Sequence, residues 1–229
     1  MLAQVAIVPS APILVPELSG PDAAEVIGVR AAALAAGESL GAVADRWVAI
    51  GADGPNRRFS SYGVDVPVTL RAGGDDEPSP LTMLIAAWLR GETAPAASIR
   101  PLVVDPSWTP LEAASAGLDL AASINDYPIP VGVLVVADGA TALTPSAPGG
   151  GDRASAHELQ RRIDDAIASA DLEALAALDP AACEVDGVGG RVALQVLAAL
   201  ARGHEMTSEL RYADAPLGVG YTVATWTLR

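Results

Sequence analysis

The sequence predicts an α/β fold. It reads as a single domain over residues 1–229, with a mostly parallel central sheet, helices on both faces and a C-terminal antiparallel strand pair. Three observations predict it. Short apolar runs at residues 5–8, 47–50, 99–104 and 131–137 alternate with helix-period segments, the pattern of buried parallel strands joined by crossover helices. Several of these runs stop abruptly at Pro, Gly or Asp. A chain of 229 residues, 51% of them hydrophobic, can bury a core of that size.

The first run, Val5-Ala6-Ile7-Val8, meets Pro9-Ser10-Ala11-Pro12. Ligands of open α/β sheets bind outside the carboxyl ends of such strands, which places Ser10 near whatever is bound. Asp22 is placed to cap a helix to about Leu40, and Gly37 and Gly41 to weaken its end. The second strand, residues 47–50, ends in Gly51-Ala52-Asp53-Gly54-Pro55, followed by a polar loop holding Arg57, Arg58 and Tyr62. Residues 66–70 read as a short strand that Pro67 marks as an edge. Pro80 opens a helix over residues 81–89, with Leu81, Leu84, Ile85 and Trp88 on one face.

Residues 99–104 form the next strand. Thr109 and Glu112 then have capping-box spacing for a helix to about Ile124. Residues 131–137 are the most hydrophobic strand, hence central, and end at Asp138-Gly139. The long loop 140–151 favours function or mobility. Asp152 is expected to cap an amphipathic helix, and Asp171 a shorter one that Pro180 stops. Gly189-Gly190 precede a helix through about Ala201. Residues 206–212 and 219–228 read as the antiparallel pair.

Composition excludes several functions. The net charge of −14 opposes nucleic acid and anionic membrane surfaces as partners. Every basic residue is arginine, so a P-loop lysine, a Schiff-base lysine and a Ser-Lys dyad are absent. Cys183 is the only cysteine, which removes intrachain disulfides and thiolate clusters and reads as a small buried filler. Prolines interrupt the apolar N-terminus, which lacks the basic start of a signal peptide. No apolar stretch is expected to reach the roughly 20 residues that span a bilayer, so the expected location is the cytoplasm.

The segment Pro9-Ser10-Ala11-Pro12-Ile13-Leu14-Val15-Pro16-Glu17 resembles the opening of the LigB-like class III extradiol ring-cleavage dioxygenase superfamily, in particular its actinobacterial branch. Further matches are Tyr62-Gly63-Val64-Asp65-Val66, Asp138-Gly139 with Ala147-Pro148-Gly149, Leu178-Asp179-Pro180, and Ala215-Pro216-Leu217-Gly218-Val219-Gly220-Tyr221 through Trp226. They span nearly the whole chain. The resemblance implies an α/β fold with a site at the strand ends. In active members two histidines and a glutamate hold Fe(II), leaving positions open for a catecholate and dioxygen, and another histidine moves protons. Matched motif by motif, the first ligand histidine falls on Ser10, the second on Asp53 and the acid–base histidine on or near Thr141; the glutamate is not placed. The chain's two histidines, His157 and His204, read as a solvated helix residue and a helix-end residue.

The expected function is therefore a dioxygenase-like scaffold that has lost its Fe(II) site, with no metal or cofactor, binding a small molecule or a protein near Ser10, Asp53, Tyr62 and Asp138. The alternatives are an enzyme using Asp53, Asp138 and Thr141 as acid–base groups or around a hard cation, residual ring cleavage, or a purely structural partner. Homo-oligomerisation stays open. Gly37-Glu38-Ser39-Leu40-Gly41 matches a nucleophile-elbow pattern, but a helix precedes it and a strand follows, the reverse of what that turn requires. Gly149-Gly150-Gly151 reads as a flexible loop rather than a phosphate cradle.

Overall fold

The computed structural model describes residues 1–20 and 23–229. Strands β1 (Leu2–Val8), β2 (Arg46–Ala52), β3 (Ser98–Val104), β4 (Val131–Val136), β5 (Met206–Asp214) and β6 (Tyr221–Leu228) form one sheet in the order β3-β2-β4-β1-β6-β5. The first four strands are parallel; β6 runs antiparallel to β1, and β5 antiparallel to β6. The expected fold class holds, and so do the central place of β4 and the terminal strand pair.

Period-two side-chain alternation divides the interior into two cores. Val5, Ile7, Val48, Ile50, Val133, Val135 and Trp226 face one side, where helices α4 (Pro110–Asn125), α5 (Ala154–Ser169) and α8 (Arg191–Leu200) cover them. Ala6, Val8, Trp47, Ala49, Leu134, Val136 and Val223 face the other, under α2 (Ala24–Val43), which follows the one-turn α1 (Pro16–Ser19), and α3 (Leu81–Thr93). Both faces of the central strands are buried, which explains why their sequences are almost continuously apolar.

Thr109 and Glu112 form the capping box as expected. The Glu112 carboxylate accepts the Thr109 N–H at 2.8 Å, and the Thr109 hydroxyl accepts the Glu112 N–H at 3.3 Å. Thr109→Ala removes the cap and is expected to cost about 1 kcal/mol, a fall in Tm on the order of 2–4 °C by calorimetry. An unchanged Tm would mean that packing alone holds this helix end.

Several local expectations are corrected. Residues 66–70 are not a strand; the Leu70 carbonyl accepts one bond from the Ile99 N–H, and no ladder follows. Asp152 does not cap α5: Arg153 holds the cap position, and Asp152 instead meets His157 Nε2 at 2.7 Å. Pro180 does not merely stop α6 (Leu172–Ala176); it begins α7 (Pro180–Asp186), which Asp179 caps through the Ala182 N–H. The cap expected of Asp22 lies outside the described residues.

Helix α2 overturns the expectation that no apolar stretch is long enough to span a bilayer. Its 20 residues pass by length and composition alone. It packs as a core helix, with Val26, Val29, Ala33, Ala36 and Leu40 buried against the sheet. Gly37 and Gly41 do not fray it, because they are points of close approach. A Cβ at Gly37 would lie 2.9 Å from the Leu89 side chain, and one at Gly41 would lie 2.7 Å from Ala94 Cβ. Ser39 sits mid-helix and bonds Gln4, so the nucleophile-elbow geometry is absent there.

Candidate functional site

The carboxyl ends of β1, β2 and β4 open onto a cleft of about 330 Å³ lined by Ser10, Asp53, Arg57, Tyr62, Asp138 and Gly189, among others. Strand register builds it. Val8 pairs with Val136 across β1 and β4, so Ser10 and Asp138, two residues further on, leave the sheet side by side. Gly51 pairs with Val136 across β2 and β4, which brings Asp53 to the same level on the other flank. Connections leave the two faces of the sheet at this point. β1 and β2 lead to α2 and α3 on one side, while β4 leads to α5 and α8 on the other. Such a switch point leaves a crevice.

Asp138 is the best-defined polar group in the cleft. Its Oδ1 accepts the Ser10 N–H at 2.7 Å, and its second carboxylate oxygen has no hydrogen bond among the described residues. Its carbonyl accepts the Gly190 N–H at 3.0 Å, which fixes the start of α8 against the strand end. Position 190 is glycine because a Cβ there would lie 2.6 Å from Ala137 Cβ and 2.7 Å from the Asp138 carbonyl oxygen. Burial pushes the Asp138 pKa up to about 6, against the opposing effect of the Ser10 N–H. Tyr221 packs nearby; burial first, and then the Asp138 charge, push its phenol well above the ordinary range.

Asp53 is exposed at the cleft rim, where its Oδ1 accepts the Gly54 N–H at 2.8 Å. Its own N–H bonds the Val104 carbonyl at 2.8 Å, tying the turn to β3. Arg57 lies over the Tyr62 ring, 5.7 Å from its centroid, and both line the cleft. Arg58 is drawn away by Asp76. Thr82 and Gly189 complete the walls. Neither stands out in the sequence, because a helix-start threonine and a turn glycine carry no chemical signature.

Thr141 is not part of the cleft, which corrects its expected acid–base position. Past Asp138 the Gly139 N–H bonds the Gly220 carbonyl at 2.9 Å, and the Ala140 N–H bonds buried Gln160 at 2.8 Å. The chain therefore turns away towards β6 and α5. There the Thr141 N–H donates to the Asp186 carbonyl at 3.0 Å, and its own carbonyl accepts the Gly149 N–H at 2.7 Å. Thr141 fastens the 140–151 loop.

Comparison with known proteins supports the fold alone. No family model and no curated protein matches this sequence. Among solved structures it is similar to an uncharacterized protein from Escherichia coli K12. That match has 14% identity and a TM-score of 0.55, and covers 98% of this chain and 99% of the other.

The donor set does not fit the Fe(II) that the extradiol resemblance implies. The cleft offers the hydroxyls of Ser10, Tyr62 and Thr82, the Arg57 guanidinium and two carboxylates, each carboxylate holding a backbone N–H, and no imidazole. His157 lies on α5 and His204 follows α8; neither lines the cleft. Among the described residues no group of three or more His, Cys, Asp or Glu converges as a metal site. Cys183 is buried and its thiol pushed up to about 11, chiefly by desolvation, which suits a filler rather than a nucleophile.

Proposed function

We propose that this protein is a dioxygenase-like scaffold of the cytoplasm that binds a small organic molecule in the strand-end cleft without extradiol iron chemistry. The observation carrying this reading is the Asp138 carboxylate. One oxygen is held by the Ser10 N–H, the other has no partner among the described residues, and the residue lines the cleft. A fixed acceptor on a partly apolar wall, with Tyr62 and Arg57 opposite the strand ends, suits a ligand bearing a hydroxyl on a flat ring. A cleft with a polar floor also disfavours a purely structural role.

Catechol is the probe. The purified protein is titrated with it calorimetrically at pH 7.5, and oxygen uptake is followed after Fe(II) addition. Saturable binding, weakened on the order of tenfold by Asp138→Ala (about 1.4 kcal/mol), with no oxygen consumed, is the expected result. Oxygen uptake at stoichiometric iron occupancy would overturn the reading, and so would catechol binding indifferent to Asp138. Affinity should rise with pH through about 6, because the accepting form is the carboxylate.

The raised pKa favours a second reading, an enzyme in which Asp138 moves a proton near neutral pH. In that case Asp138→Asn abolishes turnover while ligand binding persists. A shared hard cation is less favoured, since Asp53 and Asp138 each commit an oxygen to a backbone N–H.

A further inference from the structure

The opposite end of the sheet carries a second pocket of about 230 Å³, lined by the amino-terminal ends of β2, β3 and β4 together with Arg71 and Tyr127. Its charged lining residues are Arg46, Arg71 and Arg100; no acidic side chain lines it. The chain has twice as many acidic residues as basic ones, 28 against 14, so a pocket lined by three arginines and no acid departs from the balance of the chain as a whole.

Strand register forces two of the arginines together. Arg46 pairs with Ser98, and Val48 with Arg100, so both guanidinium-bearing residues stand on one face of adjacent strands, one step apart. Like charges so placed repel one another. No acid relieves them: Arg46, Arg71 and Arg100 form none of the ion pairs found among the described residues. All three side chains are exposed, so most of their donors face solvent. Arg100 reaches only the Ser123 hydroxyl, at 3.3 Å, while the side chains of Arg46 and Arg71 make no hydrogen bond among the described residues. Each guanidinium presents five N–H donors in a planar fork that matches phosphate oxygens. Ile99, Val131 and half-buried Tyr127 supply an apolar and aromatic wall beside them.

We propose that this pocket binds a small organic phosphate, with Arg46, Arg71 and Arg100 receiving the phosphoryl oxygens and Tyr127 contacting a flat apolar group. The site lies at the far end of β2 and β4 from the Asp138 cleft and stands independently of the function proposed there. Its small size, and the −14 charge of the surrounding chain, favour a metabolite-sized ligand over a nucleic acid or a membrane.

Phenyl phosphate and inorganic phosphate are the probes, titrated calorimetrically into the full chain at low ionic strength. The comparison is between Arg46→Gln/Arg100→Gln and a control of equal charge change, Arg162→Gln/Arg202→Gln, whose arginines lie outside the pocket. Saturable phenyl phosphate binding below about 1 mM is expected, with the pocket pair weakening it at least tenfold and the control pair less than twofold. Phenyl phosphate should also bind at least threefold more tightly than inorganic phosphate and raise the Tm of the wild type but not of the pocket pair. Equal losses in the two pairs would reduce the site to general electrostatics and overturn the proposal. Absence of saturable binding to the wild type, or equal affinity for both probes, would also overturn it.

Discussion

Replacing Asp138 with asparagine is expected to stabilise the protein at pH 8 and to leave its stability near pH 4 almost unchanged. In the folded chain the Asp138 pKa is raised from 3.8 to about 6 by desolvation. The native state therefore holds this proton more tightly than the unfolded state does. No penalty exists below the ordinary carboxylate range; it grows between about pH 4 and 6 and is complete above that. Each tenfold change in proton affinity carries about 1.4 kcal/mol, so the full penalty is on the order of 3 kcal/mol. Asparagine keeps an acceptor for the Ser10 N–H and removes the charge. Calorimetry from pH 4 to 8 should show the variant's Tm advantage growing to on the order of 6 °C at the alkaline end. A constant difference across that range would show that Asp138 titrates normally. A charge kept at this cost accords with the ligand-accepting role proposed for Asp138.

Trp226→Ala is expected to be the most damaging single core substitution, costing about 4 kcal/mol. The indole is fully buried on β6, between Val5 of β1 and Ser208 of β5, and its Nε1 donates to the Ile167 carbonyl of α5 at 2.9 Å. Truncation would open a cavity where the sheet, α5 and the terminal hairpin meet. Trp226→Phe should cost only about 1 kcal/mol, because the Ile167 carbonyl keeps its bond from the Ser208 hydroxyl at 2.8 Å. Equal denaturant midpoints for the two variants would contradict this ordering. Since β6 also carries Tyr221 and flanks β1, loosening it should widen the Asp138 environment and draw that pKa back towards its ordinary value.

The strands of the sheet, the capping box at Thr109, and the turns after residues 8, 52 and 136 are legible in the sequence because each depends on neighbours within a few positions. The positions that the sequence misplaces depend on partners it does not reveal. Asp152 has the right residue type for a cap, but His157 one turn on engages it instead. The glycines of α2 look like helix breakers until α3 is packed against them. Thr141, three residues beyond Asp138, looks close to the cleft by separation alone; bonds from Gly139 to Gly220 and from Ala140 to Gln160 turn the chain aside.

Local chemistry therefore settled the fold class, the strand-end position of Ser10, Asp53 and Asp138, and the scarcity of imidazole. Long-range pairing settled the rest. Ser10 and Asp138 are 128 positions apart, and only the parallel register of β1 on β4 brings the Ser10 N–H within 2.7 Å of the carboxylate and sets that half-buried carboxylate in the cleft wall. The same holds for Arg46 and Arg100, solvated singly in the sequence but neighbours once β2 pairs with β3. Side-chain period and turn preference act over a few residues; strand register, and the desolvation and charge crowding that follow from it, exist only once the sheet has formed.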